Sequence, residues 1–230
     1  MDKFAEAKFD GKNIYIHGNA RKAPLYYNLL LKNFTRGKRL LDIGCGDGII
    51  GKIVDKDVEY EGVDIGAGCY EEIENSSVKY IREYTDLTSY VKDSLTDVAL
   101  LIDVLEHTPD FSDLFVTSLK ITKDIVFVSL PNEENIHVRL NFLFGKGIAS
   151  HGLEMHEKHL NHRHLWLIEI FKSENILTSL ARQHGFTLHS KHYTVVFPSK
   201  KWKRLIYRVG IFFLPWNLKA RSVAYIFKKI

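Results

Sequence analysis

Three glycines within five residues, bracketed by two carboxylates, are the part of this chain best suited to chemistry. The stretch Leu40-Leu-Asp-Ile-Gly-Cys-Gly-Asp-Gly48 leads an apolar, strand-like run into Gly44, Gly46 and Gly48, and Asp64 closes the next apolar run sixteen residues after Gly48. Glycine lets the backbone bend sharply and lets a ligand approach with no Cβ in the way. A helix predicted from Ile49 adds N–H groups with no partner in their own helix. A dinucleotide site follows G-x-G-x-x-G, but Ile49 stands where its third glycine belongs. Asp42 repels a pyrophosphate and suits an ammonium group, and a carboxylate at position 64 can accept both hydroxyls of a ribose. Together these residues describe a slot for a nucleoside joined to an amino acid.

The elements that position them are short apolar runs alternating with helix-like spacers. Strands are predicted at 39–44, 60–65, 78–84, 99–104 and 124–130, the last stopped by Pro131, with helices over 49–55 and 111–122. Such alternation predicts a doubly wound α/β fold, a mostly parallel sheet with helices on both faces. Further on, 173–186 reads as a helix with Ser173 as N-cap and Gly185 as its stop. Strand-like 186–197 and 221–229 form an antiparallel C-terminal hairpin, giving seven strands in all. Between them, KKWKRLIYRVGIFFLPW reads as a basic amphipathic helix ended by Pro215.

LLDIGCGDG followed by GVDI resembles the first two motifs of class I, Rossmann-like S-adenosylmethionine-dependent methyltransferases, over roughly residues 38–190. That resemblance implies that Gly44 and Gly46 line the methionine part of S-adenosylmethionine with Asp42 nearby, and that Asp64 holds its ribose. It also implies an adenine contact after the third strand, for which Asp86 is the candidate and Glu83 its rival. One methyltransferase domain then fills 1–230. Its parts are a helical N-terminal lid (1–37), a cofactor-binding half (38–135), an acceptor-pocket insertion (136–172) and the basic helix (198–218).

The fourth strand ends ALLIDVLEHTPD, which resembles the small-molecule branch that includes ubiquinone-biosynthesis O-methyltransferases. By that likeness Asp103 stands beside the cofactor sulfonium, and Glu106 and His107 open the loop where an acceptor enters. Methyl transfer to a hydroxyl needs positioning and a general base. His107 is one candidate, against the reading that Glu106 and His107 only hold the loop. Asp103, Glu106 and His107 could mimic a divalent site of some relatives, but Asp103 is shorter than the glutamate expected there, and no metal is assigned. The N-P-P-[YF] signature of adenine- and amide-directed enzymes is missing from the fourth strand, which favours an oxygen nucleophile.

Five histidines fall within 151–164. Without an accompanying cysteine they match no familiar zinc pattern. His162 and His164, just before Trp166, are the second candidate base, against a reading as an idle surface cluster. NFLFG at 141–145 and Leu153 are candidate pocket walls. Near the N-terminus, Arg21 precedes an amphipathic segment and could reach acceptor or cofactor.

Composition sets the context. Two cysteines argue against a disulfide scaffold and for a reducing cytoplasm, and no run reaches the ~18 apolar residues of a membrane span. Eleven of the 32 basic residues lie between Asn175 and the end, where there is no acid, leaving 21 basic against 28 acidic residues in 1–174, a net of −7. A basic amphipathic helix with Trp202 can lie on an anionic membrane; packing on the core or on the acidic body is the alternative. The expected acceptor is a small molecule or a lipid- or glycan-linked one. RNA methylation guided by the basic tail, a cofactor-binding subunit without catalysis and a nicotinamide-dependent oxidoreductase are the competing readings.

Overall fold

The computed structural model describes residues 7–17, 21–65, 78–80, 87, 95–148 and 164–230, with 78–80 as backbone alone. The central strand β3 (Arg39–Ile43) is buried at four consecutive positions, as a strand covered on both faces must be. Its neighbours are β4 (Glu59–Asp64) and β6 (Thr96–Ile102), both parallel to it. β5 (Val78–Tyr80) extends the sheet beyond β4, and β7 (Thr122–Pro131) lies outside β6. The chain therefore leaves β3 to one side and returns to the other. That reversal opens a crevice at the carboxyl ends of β3 and β6, where open α/β sheets bind ligands.

Strand alternation decides which core each residue joins. Leu41, Ile43, Ala99, Leu101, Val126 and Val128 face one side, where α3 (Phe111–Lys120) contributes Phe115 and Leu119. Leu40, Val98, Leu100, Ile125 and Phe127 face the other, against Tyr26 of α1 (Lys22–Tyr26) and Leu30 and Leu31 of the π-helical turn Tyr27–Leu31 that leads to α2 (Lys32–Thr35). After β7 come α4 (Ile136–Leu143), α5 (Ile170–Gln183) and β8 (Phe186–Phe197). Next are α6 (Lys201–Ile211), the short α7 (Trp216–Lys219) and β9 (Ser222–Lys229). β9 lies antiparallel between β7 and β8, as the predicted hairpin requires.

The structure departs from the sequence reading in four places. Among the described residues the sheet has nine strands, because β1 (Ala7–Phe9) and β2 (Ile14–His17) form a hairpin whose second strand pairs parallel to β8. The described part of the first 37 residues is thus part sheet, part helix. Residues 49–55 form successive turns, not a regular helix. Ile49, Ile50, Ile53 and Val54 are β-branched and Gly51 is a weak helix former, so little favours a regular helix there. Finally, α5 starts three residues earlier than predicted, so Ser173 sits inside it and its hydroxyl donates back to the Glu169 carbonyl.

Candidate functional site

All the candidate residues that the structure describes gather at the carboxyl edge of the sheet. Gly44, Gly46 and Gly48 adopt φ of +71°, +55° and +62°, a left-handed path that side chains resist. The N–H groups of Gly44 and Cys45 donate to the Val63 carbonyl at 2.8 and 3.2 Å, tying the bend to the neighbouring strand. The Gly46 N–H donates to Oδ2 of Asp64 at 2.9 Å. The bend and the carboxylate at 64 thus form one unit across adjacent strand tips, as the sequence reading required.

Asp42 is 3% exposed and accepts a hydrogen bond from the Tyr60 hydroxyl at 3.0 Å. Burial pushes its carboxyl up to about 7; the Tyr60 hydroxyl opposes this, and Asp64 and Asp47 add to it. Three carboxylates around one bend disfavour a phosphate and suit a ligand with positive charge. Because 49–55 is not helical, no helix N-terminus among the described residues follows the bend, and that part of the sequence argument falls away.

The crevice is crossed from the N-terminal side by two cations. Arg21 pairs with Asp47 of the bend, and Lys22 pairs with Asp103. Burial alone would lower the Lys22 ammonium, but Asp103, together with Tyr26 and Glu106, more than offsets this and raises it. Asp103 has φ +53°, and its second oxygen accepts from the Ser129 hydroxyl at 2.8 Å. The side chain expected beside the sulfonium is therefore already held on both sides by protein.

Beyond Asp103, the turn Leu105–His107 carries the two loop residues. Glu106 is 1% exposed, and its Oε2 has no hydrogen-bond partner among the described residues. Burial first, then the Asp103 charge, holds this carboxyl well above the ordinary range. The His107 ring meets the His164 ring edge-on at 4.9 Å. Nδ1 of His164 lies 2.8 Å from Oε1 of Glu133, whose Oε2 accepts the Ile168 N–H. Leu165 N–H donates to the Glu106 carbonyl, and the Trp166 indole donates to the Thr108 carbonyl. The two histidines proposed as alternatives in fact share one site.

Ligand atoms of Glu106, His107 and His164 lie within 4.8 Å of one another, a spacing that would suit a divalent cation. Asp103 is not among them; Lys22 and Ser129 occupy its carboxylate. Asp86, Glu83, His162 and Leu153 lie outside the described residues. Phe142, Leu143 and Phe144, read as pocket walls, are strongly exposed.

A methyltransferase-domain family model matches residues 15–191, more than half of the chain. This chain belongs to the S-adenosylmethionine-dependent methyltransferases. Members of this family are enzymes that take their methyl group from S-adenosylmethionine. The ubiquinone biosynthesis O-methyltransferase of Pectobacterium carotovorum is 29% identical over 94 residues, 38% of this chain and 39% of that protein. That of Vibrio cholerae is 28% identical over 109 residues, 44% of each. The match thus spans about two fifths of these relatives' length. A crystal structure of a methyltransferase from Archaeoglobus fulgidus superimposes with a TM-score of 0.59 at 16% identity, covering 91% of this chain and 95% of that one. The magnesium protoporphyrin IX methyltransferase of Synechocystis PCC 6803, solved with bound S-adenosylhomocysteine, gives 0.54 at 12% identity over 90% and 81%.

In this methyltransferase the donor set fits the cofactor. An ammonium would find Asp42 and a ribose diol Asp64, beside a Gly44–Gly48 bend that is poor in side chains. Sequence reasoning missed Lys22, Tyr60, Ser129 and Glu133. Of these, only Glu133 carried a signal, as an acid just past the end of β7 on the ligand-binding edge.

Proposed function

We propose that this chain methylates an oxygen nucleophile on a small or lipid-linked acceptor. The observation that carries the reading is the His164–Glu133 pair, set with His107 beside the loop where an acceptor would enter. A carboxylate facing Nδ1 selects the tautomer with its proton there and leaves Nε2 basic. His164 then accepts the hydroxyl proton of the acceptor while Glu133 steadies the imidazolium, the arrangement in which a base is oriented by a third group. His107, packed edge-on, shapes the same pocket. Asp42, Gly44, Gly46 and Asp64 hold the cofactor, with Asp86 as the adenine contact and Asp103 near the sulfonium. When bound, S-adenosylmethionine supplies an electrophilic methyl group, and the pocket's task is to align the acceptor oxygen behind it.

Support for an oxygen acceptor comes from the ubiquinone O-methyltransferases that the chain resembles and from the missing adenine-directed signature. Peripheral contact with an anionic membrane belongs to the same reading, with the protein acting in the cytoplasm. Tritium transfer from labelled S-adenosylmethionine into lipid extract, small-molecule extract and RNA tests it. Label in either of the first two is expected. Label in RNA alone would replace the proposal with RNA methylation. Cofactor binding in a calorimeter with no transfer anywhere would make the chain a non-catalytic subunit.

A further inference from the structure

Helix α6 turns its apolar side outward. Tyr207 and Ile211, one turn apart, face the body and pack with Val195 and Phe197 of β8. On the opposite side, Trp202, Leu205, Ile206 and Val209 follow helical spacing and are 61–67% exposed, and Phe212 and Phe213 beyond them are 70% and 90% exposed. A surface helix of a globular protein normally buries such a stripe. Contiguous apolar surface rimmed by polar groups marks an interaction site.

Charge identifies the partner. By helical spacing, Lys201 and Arg208 flank the stripe on one side and Lys203 on the other, with Lys203 Nζ 5.4 Å from the Trp202 ring centre. No acidic residue occurs from Asn175 to the end. Long basic side chains that lift their charge beside an exposed Trp suit the boundary between anionic headgroups and acyl chains. Among the described residues no helix is long and apolar enough to cross a membrane, so such contact is peripheral.

Topology gives the orientation. Thr194 of β8 and Pro131 of β7 both pair with Ser222 of β9. The connection from β8 through α6 and α7 therefore stands at the sheet edge where β7 ends, the same edge as the glycine bend, Asp103 and His107. There the His137 ring of α4 stacks on Tyr207 at 5.2 Å, and the end of α4 adds exposed Phe142, Leu143 and Phe144. A cleft of about 550 Å³ at the foot of α6 is lined by Lys8, Arg208 and Lys219 among the rings of Tyr15 and Trp216, with Asp10, among the described residues, the one acid on its wall.

We infer that α6, with the end of α4, docks this sheet edge onto an anionic lipid bilayer, so that the acceptor loop opens toward the membrane. The docking rests on the exposed stripe and its basic flanks; only the statement about the acceptor rests on the proposed function. The test uses the full chain with vesicles of phosphatidylcholine, with and without phosphatidylglycerol, read by co-sedimentation and tryptophan fluorescence. Binding is expected only with phosphatidylglycerol, with a blue shift that Trp202→Phe removes. Leu205→Glu with Ile206→Glu should abolish it, and Lys201→Gln or Lys203→Gln should each weaken it about fivefold. All these sites are exposed, and S-adenosylhomocysteine binding, measured on each variant, reports an intact fold. Absent binding, or equal binding to neutral vesicles, overturns the inference. So does an effect of Leu205→Glu confined to self-association or to RNA binding. Vesicle binding without cofactor binding would sink the proposed function and leave the docking standing.

Discussion

Tyr60 donates its hydroxyl to Oδ2 of Asp42 across 3.0 Å, and both side chains are buried. Two glycines make room for that ring: a Cβ on Gly51 would stand 2.5 Å from it, and one on Gly62 2.8 Å from its hydroxyl. With its folded value raised from 3.8 to about 7, Asp42 holds a proton in the folded state that the unfolded chain releases. The stability it contributes is complete below about 4 and is lost as the pH rises through about 7, on the order of 4 kcal/mol across the window. Denaturation on either side of that window should show Asp42→Asn falling less with rising pH than the parent. Equal slopes would refute the assignment. Tyr60→Phe should cost about 1–3 kcal/mol, because it strips a buried oxygen of its donor.

The same titration bears on the ligand. An ammonium placed against Asp42 gains from the ionised carboxylate, so affinity for S-adenosylhomocysteine should climb as the pH passes about 7. Calorimetric titrations one unit either side of that value check this. Asp42→Asn should bind more weakly and lose most of the pH dependence. An unchanged pH dependence in the variant would place the ammonium elsewhere.

Asp64 and Gly46 should fail together. Asp64→Ala removes a charged acceptor and also frees the Gly46 N–H that it holds at 2.9 Å. Cofactor affinity is expected to fall about 10- to 100-fold. Gly46→Ala forces a Cβ into φ +55°, a strain of about 1–2 kcal/mol, and should weaken binding while lowering the melting temperature. A Gly46→Ala protein that binds normally would show that the bend need not keep this path.

Those residues were legible because each sits on a short, strongly patterned segment. Runs such as 39–43 and 122–131 are apolar enough to have only one place in an α/β fold, and β8 matched its predicted bounds of 186–197. The hairpin of β1 and β2 was missed although Asp10-Gly11 marks its turn, since strands of three and four residues show almost no alternation. The false helix at 49–55 came from its place after a glycine bend, against its own β-branched composition. Lys22 on Asp103 and Glu133 on His164 join residues 81 and 31 positions apart, and no local pattern encodes such a meeting.

Glu106 offers a test of charge at the buried end of the loop. Burial and the Asp103 charge raise its carboxyl and favour the neutral acid, with Oε2 lacking a hydrogen-bond partner among the described residues. Glutamine copies that neutral shape, so Glu106→Gln should alter stability by less than about 1 kcal/mol. Glu106→Ala opens a cavity and should cost about 2 kcal/mol or more. If glutamine proves as damaging as alanine, the acid is ionised in the folded protein.

The decisive kinetic comparison is between the two histidines whose rings meet at 4.9 Å. Glu133 places a carboxylate at Nδ1 of His164, so His164→Ala should lower kcat about 10²- to 10⁴-fold and leave cofactor affinity intact. Glu133→Gln keeps an oxygen for the Ile168 N–H but gives up the charge that steadies the imidazolium. A smaller fall in kcat is expected there. His107→Ala should raise KM for the acceptor more than it lowers kcat, as befits a wall of the pocket. The reverse pattern, with His107→Ala lowering kcat and His164 dispensable, would move the base to the other ring.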